Sequence, residues 1–293
     1  MEGSAIMKIA VISDSGCGMS EKEAQERGIF ILPLQLIIND ISYRDGVDIQ
    51  ADDLYAKLKE GALPKTSMPV MSDIDTLFHQ LKEEGYDQAI AIPLSTGLSS
   101  TTQSLNIAAE MEDLPLTCIE VSSTCCIEKY VTIQVKKLVD AGKTVEEIKA
   151  IILPKIAASG TLIYPNDLNH LKRGGRLTPV AASLATLLKI KPILKIDPST
   201  EGRIDVEAKV RTEKKAERYM VENIALRLMK DRSYQVFIID SDCRAKALRM
   251  KDELEQLIVG QDVAITNDNI YAVISSHTGL DCIAIQYIET IEA

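Results

Sequence analysis

The sequence predicts a two-part α/β protein, with a parallel sheet covered by helices on both faces followed by a mixed α+β unit. Three observations predict it. Short apolar runs alternate with amphipathic helical segments from residue 8 to about residue 157, the rhythm of a parallel sheet. Beyond that point the rhythm gives way to a hairpin, one long helix and separated strands. The chain of 293 residues also reaches the size, roughly 250–300 residues, at which single cores split in two. The boundary is expected near residue 158, giving units of 7–158 and 159–293.

Each element has its own signal. Lys8 to Ser13 is a buried strand that ends in an Asp-Ser-Gly turn, and Ser20 with Glu23 forms a capping box opening a helix. Ile29 to Ile38 reads as one strand, and Asp52 to Lys59 as a short helix with Leu54 and Leu58 on one face. Ser72 is placed to cap a helix through Leu77, Leu81 and Glu84. Ala89 to Leu94 is a strand, Thr101 to Glu110 a helix and Leu116 to Val121 a strand. Helices follow near 125–140 and 144–157, the second capped by Thr144 with Glu147. In the second half Gly160 to Tyr164 is a strand and Asn166 to Leu171 a helix. Pro192 to Ile196 and Arg203 to Val210 flank a Pro-Ser-Thr-Glu-Gly turn, as a hairpin would. A helix from Thr212 to about Lys230 precedes strands at Val236 to Asp240, Val263 to Thr266 and Cys282 to Ile288. Met1 to Ile6 precede a second methionine and read as an extension outside the fold.

Composition narrows the chemistry. Aromatic residues make up 4% of the chain and Trp is missing, so interior space is lined by Ile, Leu, Val, Ala and Met. Such a lining suits an alkyl chain and an ordinary core alike. A net charge of -10 disfavours nucleic acid and anionic membranes. The longest apolar stretch is interrupted at Pro33 and is far shorter than the ~20 residues of a membrane helix. Stable membrane insertion is therefore not expected, and transient contact with a bilayer is the most the sequence allows. The six cysteines form no CxxC pair, and His79, His170 and His277 stand far apart, so no metal and no cofactor is expected. Scattered free thiols indicate a reducing cytoplasm.

Polar clusters fall at strand ends, where ligands gather in open α/β sheets. Gly16-Cys17-Gly18 begins a dinucleotide-type glycine pattern, but Glu21 stands where the third glycine belongs. Lys65-Thr66-Ser67-Met68-Pro69 aims two hydroxyls from an extended segment, because the residue before proline is held out of the helical region. Ser95-Thr96-Gly97-Leu98-Ser99-Ser100-Thr101-Thr102 leaves a strand and enters a helix, so hydroxyls and free N–H groups meet where an anion is welcome. Capping accounts for one of those hydroxyls, not six. His277 sits in a hydroxyl-rich loop, and Lys172-Arg173-Gly174-Gly175-Arg176 combines cations with backbone freedom suited to docking or gating.

Taken in order, these segments resemble the DegV family of fatty-acid-binding proteins, which includes the acyl-carrying subunit of bacterial fatty acid kinase. The resemblance runs from Met7 onward. It is carried by Ser13-Asp14-Ser15, Lys65 to Pro69, Ser95 to Thr101, Leu168 to Arg176, Leu188 to Leu194 and His277-Thr278-Gly279. It implies a Rossmann-like N-terminal domain, a C-terminal α+β domain and a fatty acid buried in a tunnel between them. It implies that Thr66 or Ser67, with Ser95 or Ser99, binds the carboxylate and that His277 lies near it. Arg173 and Arg176 would mark the entrance, or the surface offered to the ATP-binding subunit of the kinase. Two segments depart from the family pattern. Ser122 to Tyr130 carries bulkier residues than usual, and Leu280-Asp281 replaces Pro-Gly.

Three functions follow for testing: a non-enzymatic carrier of a long-chain fatty acid serving a separate kinase, a serine hydrolase using Ser95 or Ser99 with His277, and a nucleotide binder using Gly16 to Gly18. The hydrolase reading lacks a nucleophile-elbow motif and an acid to orient the histidine.

Overall fold

The computed structural model describes residues 7–186 and 190–292. Met1 to Ile6, and Leu188 and Lys189 of the Leu188–Leu194 segment, lie outside the described residues. In chain order the first half comprises β1 (Ile9–Asp14), α1 (Glu21–Arg27), β2 (Phe30–Leu32), β3 (Gln35–Ile38), β4 (Ile41–Arg44), α2 (Ala51–Lys59), β5 (Lys65–Ser67), α3 (Met71–Glu83), β6 (Gln88–Ile92), α4 (Thr101–Met111), β7 (Leu116–Cys118), α5 (Cys125–Asp140) and α6 (Val145–Ala157). The second half comprises β8 (Gly160–Tyr164), α7 (Leu168–Arg173), α8 (Pro179–Ser183), β9 (Lys191–Ile196), β10 (Asp205–Val210), α9 (Glu213–Arg227), β11 (Tyr234–Asp240), α10 (Arg244–Leu257), β12 (Val263–Asn269), α11 (Ala272–Thr278) and β13 (Ile283–Glu289).

The expected parallel sheet is present in the order β2-β1-β6-β7. Its strands are apolar on both faces because each face is covered. Val11, Ile90 and Ile92 pack with α5 and α6, while Ala10, Ile12, Ala89 and Ala91 pack with α3 and α4. The second half forms a mixed sheet in the order β10-β9-β8-β13-β11-β12. One face of it, through Leu162, Ile193, Val236, Ile238 and Ile285, packs on α9 and α10. The other face, through Ile163, Ile196, Ile239 and Ala284, turns toward the first half.

The structure corrects the sequence reading in several places. Ile29 to Ile38 is not one strand: it breaks at Pro33-Leu34, leaving β2 in the parallel sheet and β3 in a separate antiparallel sheet, β4-β3-β5. Pro33 has no N–H for a ladder, and the Leu34 N–H donates to Ser15 Oγ at 3.0 Å instead. Lys65 to Ser67, read only as an extended segment, is an edge strand, β5, of that sheet, with Thr66 paired to Leu36. The helix assigned to a Ser72 cap begins one residue earlier, at Met71, and has no side-chain cap. His277, placed in a loop, is on helix α11. The helix α10 follows a Cys243–Arg244 start that carries no strong cap signal, and it was not anticipated.

Candidate functional site

Between the two halves of the chain lies a cavity lined by side chains from both. Its walls are chiefly aliphatic: Leu34, Leu94 and Leu98 come from the first half, and Ile163, Ile196, Ile239, Ile270 and Ile274 from the second. Among its polar side chains one cluster joins Thr66 and His277, with Arg176 near the ring, and Ser67 and Ser99 also line the cavity.

Thr66 and His277 form the centre of that cluster. Antiparallel pairing of β5 with β3 fixes the Thr66 side chain beside Leu36, and α11 carries His277 across from it. The helix stops just beyond, at Gly279, whose φ of 75° suits glycine and where a Cβ would lie 3.2 Å from the His170 ring. Thr66 Oγ1 and His277 Nε2 are 2.7 Å apart. Burial, followed by the nearby Arg176 guanidinium and the His170 ring, pushes the His277 pKa down to about 3, so the ring is neutral at physiological pH. Its Nδ1 is out of contact with solvent and has no hydrogen-bond partner. The neutral ring carries one proton. A buried N–H without an acceptor is rarer than a bare acceptor, so the proton belongs on Nε2, donating to Thr66 Oγ1. That arrangement leaves the Thr66 hydroxyl proton free for a third group.

The remaining predicted residues divide. Ser99 lines the cavity and its Oγ lies 2.8 Å from Thr101 Oγ1. Ser67 lines it as well, close to Met68. Ser95 does not border the cavity. It is fully buried, its hydroxyl donates to the Gly202 carbonyl at 3.1 Å and accepts from the Gly97 N–H at 3.2 Å. A Cβ on Gly202 would lie 1.7 Å from Ser95 Oγ, so glycine is required there for contact as well as for its φ of 66°. Ser95 thus clamps the 95–99 turn to the 197–203 turn of the second half. Arg176 is half-buried, with Nη1 donating to Gly174 O at 2.6 Å and Nε to Leu98 O at 3.3 Å, and burial lowers its pKa. Arg173 is exposed, 3.3 Å from His170 Nδ1.

A second, outer recess is lined by Lys65, His170 and Arg173, and it shares Thr66, Arg176 and His277 with the inner cavity. The Thr66–His277 pair therefore stands between an apolar interior and a basic exterior in a protein whose net charge is -10.

The glycine turn after β1 is filled by the protein's own groups. A Cβ on Gly16 would meet Asp14 Oδ1 at 2.8 Å and Glu128 Oε2 at 3.1 Å, so carboxyl oxygens occupy the place where a phosphate would need donors. Tyr271 covers Gly18, 2.0 Å from where a Cβ would stand. The histidine contacts Thr66, not Ser95 or Ser99, and no carboxylate meets its Nδ1. These contacts weigh against both the nucleotide and the hydrolase readings.

The unusual 122–130 segment contributes a buried polar junction that the sequence reading missed. Ser122 and Cys125 adopt positive φ of 47° and 56°, conformations that non-glycine residues hold only when surroundings enforce them. Gln286 of β13 anchors the backbone next to them. Its Oε1 accepts from the Cys126 and Ile127 N–H groups at 2.9 and 3.3 Å, at the start of α5. Glu128 is fully buried, and burial together with Asp14 raises its pKa well above the usual carboxyl range.

The fold thus places a chiefly aliphatic cavity between two α/β halves, with hydroxyls and a neutral imidazole on its wall. A family model described as "Uncharacterised protein, DegV family" matches residues 8–290, and the chain belongs to the DegV family. A DegV domain-containing protein of Streptococcus pyogenes serotype M1 is 36% identical over 290 residues, covering 95% of this chain and 98% of that protein. Among solved structures, DegV of Bacillus subtilis, described as a fatty acid binding protein, superposes with TM-score 0.86 at 27% identity, covering 97% of this chain and 100% of that one. A fatty acid binding DegV family protein from Streptococcus agalactiae gives TM-score 0.87 at 29% identity, covering 97% and 99%. Among the described residues no helix is long and apolar enough to cross a membrane.

Proposed function

We infer that the protein binds a long-chain fatty acid, with the tail in the inner cavity and the carboxylate at Thr66, Ser67 and Ser99 beside His277. One observation carries the reading: the Thr66–His277 pair, 2.7 Å apart, sits on the wall shared by a chiefly aliphatic cavity and the outer recess, with a hydroxyl proton to donate. A carboxylate takes such donors well, each charge-assisted bond contributing ~1.5–3 kcal/mol. The tail supplies the affinity, ~0.8 kcal/mol for each methylene buried before association costs. Fatty acid binding by the relatives from Bacillus subtilis and Streptococcus agalactiae supports the same assignment. Mass spectrometry of the organic extract from protein purified without delipidation should show a stoichiometric fatty acid. No acid in the extract, and no uptake of added oleate or palmitate, would sink the reading.

The protein acts as a carrier, and the chemistry belongs to a partner. A carboxylate held at the shared wall faces the basic recess of Lys65, His170 and Arg173, which suits presentation to the ATP-binding subunit of a fatty acid kinase. There a carboxylate oxygen would attack the γ-phosphorus of ATP, forming an acyl phosphate and releasing ADP. Incubation with such a subunit and ATP, followed by hydroxylamine trapping, should yield the acyl hydroxamate. Absence of hydroxamate from loaded protein removes the kinase partnership and leaves binding intact.

A further inference from the structure

The outer recess carries a charge pattern at odds with the rest of the chain. Acidic residues outnumber basic ones by 43 to 33, yet the recess is walled by Lys65, His170, Arg173 and Arg176 with no Asp or Glu among them. Arg173 and Arg176 donate to neutral acceptors, and among the described residues neither they nor Lys65 pairs with a carboxylate. Cations gathered without a counter-charge repel one another, and an anion placed among them relieves that cost.

Two of these side chains are tethered at the wall. His170 Nε2 donates to the Ser276 carbonyl of α11 at 2.8 Å, because a carbonyl can only accept. The bare Nδ1 then accepts from Arg173 Nη2 at 3.3 Å, which holds that guanidinium at the recess. Arg176 gives Nε to Leu98 O and Nη1 to Gly174 O, leaving Nη2 free among the described residues. Thr66, Arg176 and His277 border the inner cavity and the recess alike, so the recess begins where the head-group site ends. A carboxylate at Thr66 reaches only the shared wall. A phosphoryl group joined to it through one bridging oxygen would stand in the recess itself, offering charged oxygens of the kind guanidinium and ammonium groups bind.

We propose that the outer recess is a phosphoryl-binding site, in which Lys65, Arg173 and Arg176 hold the phosphate of a long-chain acyl phosphate whose tail fills the inner cavity. The proposal rests on the fatty-acid reading and assigns recognition of the phosphorylated cargo to this chain itself. The carrier then discriminates between head groups: a free acid engages the Thr66 wall alone, whereas the mixed anhydride engages wall and recess together.

The test needs no kinase. Calorimetric titration of the delipidated full chain compares palmitate, 2-oxoheptadecylphosphonate and palmitoyl lysophosphatidate. The phosphonate is a stable mimic of palmitoyl phosphate, with a methylene in place of the bridging oxygen, and lysophosphatidate sets its phosphate a glycerol further out. The phosphonate should bind about tenfold or more tighter than palmitate, the effect of charge-assisted bonds gained. The Lys65→Met, Arg173→Met double variant should erase that advantage while binding palmitate as the parent does, which also shows that it folds. Equal affinity for palmitate and the phosphonate, an advantage undiminished in the double variant, or lysophosphatidate bound as tightly as the phosphonate overturns the proposal and leaves fatty acid binding standing. Phosphonate bound with palmitate refused keeps the recess and overturns the fatty-acid reading. Failure of all three ligands overturns both.

Discussion

Gly174 stands against His277 so closely that a methyl group on it would lie 2.4 Å from the ring Nδ1. The glycine is in the ordinary helical region, so its role is to leave room for the ring. Gly174→Ala should displace the imidazole from Thr66, weakening fatty acid binding by about tenfold or more and costing ~1–3 kcal/mol of stability. Calorimetric titration beside urea unfolding measures both. Unchanged affinity would show that the ring position does not matter to the ligand.

Thr66 should prove more sensitive to loss of its hydroxyl than of its methyl group. Thr66→Val removes the proton that the His277 contact frees, and a lost charge-assisted bond predicts a fall in affinity of about 10- to 150-fold. Thr66→Ser should stay within about threefold of the parent. Equal losses in the two variants would assign Thr66 a packing role.

Stability should vary with pH in a way set by opposing buried groups. Burial raises Asp45 from 3.8 to about 7, against the favourable bonds from Ser15 and the Val273 N–H. The folded state then holds a proton that the unfolded chain releases, so this contribution is full below about pH 4 and is lost as pH rises through about 7. His277 runs the other way: between about 3 and 6.5 the unfolded chain holds the proton, and stability rises with pH. Asp45→Asn should flatten the decline in Tm toward neutral pH, and His277→Gln should steepen it. Tm profiles of the two variants parallel to the parent's would refute the assignment.

Glu128 should behave as a neutral group. The Ser13 hydroxyl already has the Ile92 carbonyl at 2.7 Å and the Thr124 hydroxyl has the Gly16 carbonyl at 3.3 Å, so the carboxyl beside them acts best as a donor. Glu128→Gln, which keeps a donor, should cost about 1 kcal/mol or less. Glu128→Ala should cost ~2–4 kcal/mol through the cavity it leaves. Comparable losses in both, measured by urea unfolding, would mean that the group is ionised.

The parallel sheet was legible because its information is local: apolar runs such as Ala89 to Ile92 sit beside capped helices, and Thr144 with Glu147 forms the capping box its spacing promised. The break at Pro33 was visible as a residue without an N–H, but the apolar residues on both sides outweighed it. His277 was misplaced because Ser275-Ser276-His277-Thr278 has weak helix propensity, and α11 owes its form to packing on α2 and α7. The hydroxyl run at 95–101 was recognised as a cluster, yet the sequence could not separate Ser99, which borders the cavity, from Ser95, which faces Gly202. Gln286 and Thr161 left no trace in the sequence, since each is an ordinary strand residue until the sheet sets them opposite one another.

The last strand also governs how the molecule can move. β13 runs through the centre of the second sheet, yet Ile288 and Ile291 at its end belong to the core packed on α5 and α6, and Tyr130 receives the Ile291 N–H at 2.8 Å. Gln286 ties the same strand to the start of α5. Rotating the halves apart as rigid bodies would tear out shared core, so a ligand of the inner cavity would have to pass through displaced turns at the rim. Empty and loaded protein should then have the same radius of gyration, and exchange of cargo should be timed by a local loosening.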